Sequence, residues 1–128
     1  MAKILIAEDD SLFRRMFVHT LKDAKHEVIE ATNGEEALAK LDKVTPDLVI
    51  LDIMMPKASG LDVLHEMRQR PALKNTPVIV TTAVEKIEAV NAALDAGAKA
   101  YLIKGDTEPE DILVEINKYL PSAPDPAH

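Results

Sequence analysis

Acids at the ends of apolar runs mark where this sequence can do chemistry. Glu8-Asp9-Asp10 closes the run ILIAEDD, and Asp52 closes VILD. Thr82 closes PVIVTT, and Lys104 closes AYLIK. No basic residue stands next to Asp52 in the chain. Two carboxylates about 4 Å apart repel by about 4 kcal/mol at an effective dielectric of about 20. If these acids share one rim, they need a cation or protons. A donor set of oxygens, with neither His nor Cys, favours a hard ion such as Mg²⁺. A hydroxyl and an ammonium on the same rim suit an anion placed beside that metal. A metal, a free carboxylate, Thr82 and Lys104 together fit an aspartate that accepts a phosphoryl group, with Asp52 as the nucleophile. An ionised carboxylate needs no general base, so the missing neighbour is no obstacle.

The acids share a rim only if the elements before them lie side by side. Short apolar runs at 3–7, 27–31, 48–51, 77–81 and 99–103 read as buried strands. Between them, Leu12, Phe13, Met16, Phe17 and Leu21 recur at helical spacing over 11–24. Asn33 with Glu36 starts a second helix, whose apolar face is Ala37, Leu38 and Leu41. Ser59-Gly-Leu-Asp62 is a capping box for a third, reaching about Gln69. A fourth covers 86–96 and stops at Gly97. Thr107-Glu-Pro-Glu110 opens the last, with Ile112, Leu113, Ile116 and Leu120 facing inward. This strict alternation predicts an α/β fold, a doubly wound five-stranded parallel sheet of the flavodoxin-like type, in the order 2-1-3-4-5. That order makes the first and third strands neighbours and sets the ligand site at their carboxyl ends.

Composition narrows the function further. The chain has 128 residues, enough for one domain, expected over 1–120, with a Pro/Ala-rich tail or linker start at 121–128. The formal net charge of −7 argues against a general nucleic-acid surface. Arg14-Arg15 reads as a solvated helix face. The four histidines (His19, His26, His65, His128) lack ligand-like spacing and read as structural or surface residues. There is no cysteine, no long apolar run and no secretory signal pattern, so a cytoplasmic protein without membrane contact is expected.

The motif set ILIAEDD, LVILDIMMP, VIVTTA and AYLIKG resembles the receiver domain of bacterial two-component response regulators, the chemotaxis-type fold. The resemblance runs from about residue 3 to residue 120. It implies a signalling phosphoacceptor rather than an enzyme. Asp52 is the expected acceptor, and the donor a phosphohistidine of a histidine kinase or phosphotransfer protein. Mg²⁺ (or Mn²⁺) is expected on Asp9, Asp52 and the backbone carbonyl of Met54, with Glu8 helping through water. Thr82 is the implied switch hydroxyl, Lys104 the phosphate-pairing lysine and Tyr101 the switch aromatic. Asp10 lies one position past the family's acidic pair and reads as the cap of the first helix. Phosphorylation is expected to reshape the surface of helix 4, strand 5 and helix 5 for an unknown downstream protein. Helix 1 with the rim around Asp52 is the expected kinase-docking area.

Three departures from the family pattern matter. Gly105 stands where a proline usually follows the lysine, and a cis bond before a non-proline residue costs about 3 kcal/mol. A trans or more mobile link is expected there, in a loop about one residue longer than usual. Lys99, Ala100 and Glu115 lack the charge pattern that many DNA-binding relatives use to dimerise, so a monomer or weak dimer is expected. The two residues that often tune phosphate lifetime are Met54 and Val84, both apolar, which predicts slow self-dephosphorylation. A stand-alone regulator is the favoured reading over a receiver cut from a longer protein. Among other classes, a phosphohydrolase needs an acid two residues after Asp52, where Met54 stands, and a nucleotide-binding domain needs a glycine-rich loop that is missing. A phosphorylation-independent pseudo-receiver is the alternative.

Overall fold

The computed structural model describes residues 2–83 and 87–120. Five parallel strands, β1 (Lys3–Ala7), β2 (Glu27–Ala31), β3 (Leu48–Asp52), β4 (Val78–Thr82) and β5 (Ala100–Ile103), form one sheet in the order β2-β1-β3-β4-β5. The helices are α1 (Ser11–Asp23), α2 (Gly34–Leu41), α3 (Gly60–Gln69), α4 (Ile87–Asp95) and α5 (Pro109–Asn117). The doubly wound order expected from the alternation is the one observed.

Alternate residues of each strand point to opposite faces, and each face is covered by its own helices. Leu5, Ala7, Val49, Leu51, Val78 and Val80 pack under α2, α3 and α4, against Leu41, Leu64, Met67 and Val90. Ile4, Ile6, Leu48, Ile50 and Ile79 pack under α1 and α5, against Phe17, Leu21, Ile112 and Ile116. The central strands β3 and β4 are buried along their whole length, which is why they read as unbroken apolar runs.

The helix ends follow local chemistry. Asn33 caps α2 by accepting from Glu36 N, while the Glu36 carboxylate turns to Thr32. Ser59 and Asp62 form the capping box of α3. The box of α5 is Glu108 with Asp111, one residue later than the Thr107–Glu110 pair expected, because Pro109 takes the first helical position. Gly97 has φ +103 and closes α4. Lys86 and residues 121–128, named in the helix-4 and tail expectations, lie outside the described residues.

Register delivers the polar ends to one place. Ala7 pairs with Leu51, so Glu8 and Asp52 leave adjacent strands side by side. Asp52 pairs with Thr81, and Thr82 with Ile103, so Thr82 and Lys104 follow on the same edge. Gly60 then allows α3 to start against Asp52: a Cβ there would lie 2.3 Å from the Asp52 carbonyl oxygen.

Candidate functional site

The site grows from the β1 and β3 ends. Glu8 and Asp52 are both buried, and Asp9 is exposed at the mouth. One carboxylate oxygen from each lies within 4.8 Å of the others. Lys104 is buried too, and its ammonium donates to Glu8 Oε2 at 2.7 Å and to Asp52 Oδ2 at 2.9 Å. The base that Asp52 lacks in sequence therefore arrives from the end of β5. Asp52 Oδ1 accepts from the backbone N–H of Met54 at 3.1 Å.

The supporting contacts are local. Asp10 caps α1, accepting from Leu12 N at 2.9 Å and Phe13 N at 3.3 Å, as its position suggested. Its own N–H donates to Glu8 Oε2 at 3.1 Å. Arg14 corrects the reading of a solvated doublet. Its side chain is half-buried, donates through Nη1 to the Glu8 carbonyl at 2.9 Å, and pairs through Nε with Glu30 at 3.4 Å. Arg15 alone faces water, because adjacent helical residues point about 100° apart. The Phe13 ring lies 5.5 Å from the Lys104 ammonium and 6.2 Å from the Phe17 ring. Neither Arg14 nor Phe13 carries a sequence signal for this role, since a helical apolar stripe and a basic doublet are ordinary features.

The chain after Lys104 holds it without proline. A short 3-10 turn spans Lys104–Asp106, and Thr107 Oγ1 donates to the Ile103 carbonyl at 2.7 Å. No peptide bond among the described residues is cis, in line with the trans link expected at Gly105.

Burial shapes the charge states. Loss of water around Glu8 pushes its carboxyl up to about 7, helped by the neighbouring Asp52 and opposed by Lys104. Asp9 is raised by partial desolvation and then by Asp52. Burial alone lowers Lys104, but its hydrogen bonds to Glu8 and Asp52 outweigh this and hold it above its ordinary value. His26 is lowered by burial, and its Nδ1 accepts from Ala2 N, a structural role.

A divalent cation fits this donor set. Three carboxylates converge, and Glu8 Oε1 is a buried acceptor with no hydrogen-bond partner. Thr81 Oγ1 is likewise buried and unpartnered, in the residue paired with Asp52. Thr82 is buried at the end of β4. Tyr101 stands apart, on the edge strand and 38% exposed. The Met54 side chain points outward, and Val84 lies outside the described residues.

Comparison with known proteins places this arrangement among relatives. Residues 4–117 match the family model described as response regulator receiver domain. A chemotaxis protein CheY of Listeria monocytogenes is 41% identical over 106 residues, covering 81% of this chain and 87% of that protein. A gliding motility regulatory protein of Myxococcus xanthus is 34% identical over 116 residues, covering 91% of this chain and 15% of that protein. For most such relatives the chain spans about half of their length or less. The solved structure of Vibrio cholerae CheY4 superimposes with a TM-score of 0.87 at 35% identity, covering 94% of this chain and 99% of that one.

Proposed function

The chain belongs to the response regulator receiver domains, a signalling family rather than a class of enzymes, and from that premise we propose that Asp52 is the phosphoacceptor of a two-component relay. The observation that carries this is the Asp52 carboxylate at the mouth of the sheet, bonded by Lys104 and within 4.8 Å of Glu8 and Asp9. The donor is a phosphohistidine of a histidine kinase or phosphotransfer protein. A carboxylate oxygen of Asp52 attacks phosphorus, the P–N bond breaks, and the electron pair returns to the imidazole nitrogen. The product is an acyl phosphate on Asp52.

Asp9, Asp52 and the Met54 carbonyl would hold Mg²⁺ (or Mn²⁺), with Glu8 acting through water. Bound there, the ion neutralises charge on the transferring phosphoryl oxygens. Lys104 turns from Asp52 and Glu8 toward a phosphoryl oxygen, and Thr82 donates its hydroxyl to another. The new group brings a charge of about −1.5 to −2. As Thr82 moves, Tyr101 turns into the space it leaves, and the face of α4, β5 and α5 changes shape. Shifting a two-state equilibrium from 1:99 to 99:1 takes about 5.5 kcal/mol, so partner binding supplies part of the bias. Met54 and Val84, at the two positions that tune phosphate lifetime in the family, are apolar, and neither side chain can orient an attacking water, so slow self-dephosphorylation is expected. We place this exchange in the cytoplasm.

The test is labelling by acetyl phosphate with and without Mg²⁺, on wild type and Asp52→Asn. A Mg²⁺-dependent, hydroxylamine-labile label absent from the variant is expected. No label on wild type points instead to a phosphorylation-independent interaction module. Lifetime is tested by giving Met54 and Val84 polar replacements, which should shorten the half-life of the label; a half-life no longer in wild type sinks that part of the reading.

A further inference from the structure

Two adjoining grooves on the α4, β5 and α5 face share Tyr101. One lies between α4 and β5, walled by Ile87, Val90, Leu94 and Tyr101. The other lies between β5 and α5, where Tyr101, Ile103 and Val114 meet Asp106, Asp111 and Glu115. Ile87 is 65% exposed, Val114 59%, and Leu94 and Tyr101 38% each. A strip of exposed apolar side chains rimmed by charge is the usual mark of an interaction surface.

Among the described residues the lining of the groove between β5 and α5 holds Asp106, Asp111 and Glu115 and neither lysine nor arginine, while Lys99 stands exposed just before β5 and Glu110 lies on the α1 side of α5. Lys118 pairs with Glu115 at 3.0 Å, a contact that a docking lysine or arginine would share or displace. Asp111 Oδ2 accepts from Glu108 N at 2.8 Å. Asp106 makes no ion pair with a described residue.

We propose that this face docks a basic polypeptide segment, one that sets apolar side chains against Tyr101 and Val114 and lysines or arginines against Asp106, Asp111 and Glu115. The inference rests on the receiver reading above and adds the chemistry of the partner. Charge complementarity selects the occupant. A second copy brings the same acids to the same groove, and nucleic acid or an anionic membrane is repelled. Residues 121–128 hold Asp125 and neither lysine nor arginine, so the tail does not supply the complement.

The experiment uses two synthetic amphipathic peptides with the same leucine and phenylalanine anchors, one flanked by lysines and the other by glutamates. Amide shifts of the full chain are followed by NMR. The lysine peptide should bind at least about 10-fold more tightly than the glutamate peptide, with shifts centred on β5 and α5. Asp106→Lys with Glu115→Lys should abolish that preference, and the milder Asp106→Asn with Glu115→Gln should reduce it. Asp23→Lys with Glu35→Lys makes the same change in net charge elsewhere and should leave it intact. Shifts centred elsewhere, or an equal loss in the control pair, reduce the attraction to general charge and overturn the proposal. Each titration is repeated after labelling with acetyl phosphate and Mg²⁺, beside Asp52→Asn. No binding in either state overturns the docking proposal even where Asp52 labels. Binding that labelling leaves unchanged supports docking and overturns only the switch.

Discussion

Lys104 meets two carboxylates, at 2.7 and 2.9 Å, in a site where all three partners are buried. Removing one partner from a buried ionic group strands the rest, at a cost of about 3 to 5 kcal/mol. Lys104→Ala should therefore unfold at markedly lower urea than wild type in EDTA, and Mg²⁺ should restore much of the difference. A variant as stable as wild type in EDTA contradicts this account of the rim. Glu8 adds a pH signature. Its folded pKa of about 7 lies above the ordinary 4.5, so between those values the folded protein holds a proton that the unfolded chain has released. Stability of the metal-free protein then falls as pH rises through that window, and is fully relieved of the penalty below it. Thermal melts in EDTA across that range should show the decline in wild type and a flatter profile in Glu8→Gln; parallel profiles refute it.

The elements reach the site through a few tight junctions. At Gly60 the first turn of α3 presses on the end of β3, and a Cβ would meet the Asp52 carbonyl oxygen at 2.3 Å. Neither backbone can yield cheaply, so Gly60→Ala should cost about 1 to 3 kcal/mol, as overpacking does, and slow labelling of Asp52 by displacing it. Normal labelling kinetics in that variant count against the junction. A second junction is Arg68 on α3. Its Nη1 donates to the carbonyls of Leu73, Lys74 and Thr76, and its Nη2 to Gly97. One guanidinium thus ties the loop before β4 to the turn before β5. Arg68→Ala should cost about 2 to 3 kcal/mol, and Arg68→Lys should recover only part, because an ammonium lacks the planar fork. Hydrogen exchange should quicken around 73–76 and 97–98; unchanged protection there removes Arg68 from this role.

Across the whole molecule, charge decides association. The formal net charge is −7, and Asp111 and Glu115 of α5 line the groove beside β5. A twofold interface sets a patch against its own copy, and the groove lining beside β5 offers acids with no lysine or arginine of its own to pair with them. Sedimentation of the protein labelled at Asp52, or holding a phosphate mimic there, should report a monomer, with at most weak dimerisation as salt rises and screens the repulsion. A tight symmetric dimer through α4, β5 and α5 refutes this. Among the described residues no helix is long and apolar enough to cross a membrane.

Periodicity alone carried the fold. Strand and helix positions depend on local spacing of apolar residues, which is why β1 and β2 fall where the runs fall and why Ser59-Asp62 caps α3 as written. The acids and the lysine at the strand ends were legible for the same reason, once the order 2-1-3-4-5 placed those ends together. What only the tertiary structure decided is which groups meet across long sequence separations. Lys104 lies 96 residues from Glu8 and 52 from Asp52 in the chain, so no local pattern sets their distance. The same holds for the Arg68 carbonyl fork, for the division of Arg14 from Arg15, and for the acidic groove beside Tyr101. Each depends on packing between elements, where direction and burial are settled by neighbours that the linear sequence does not place side by side.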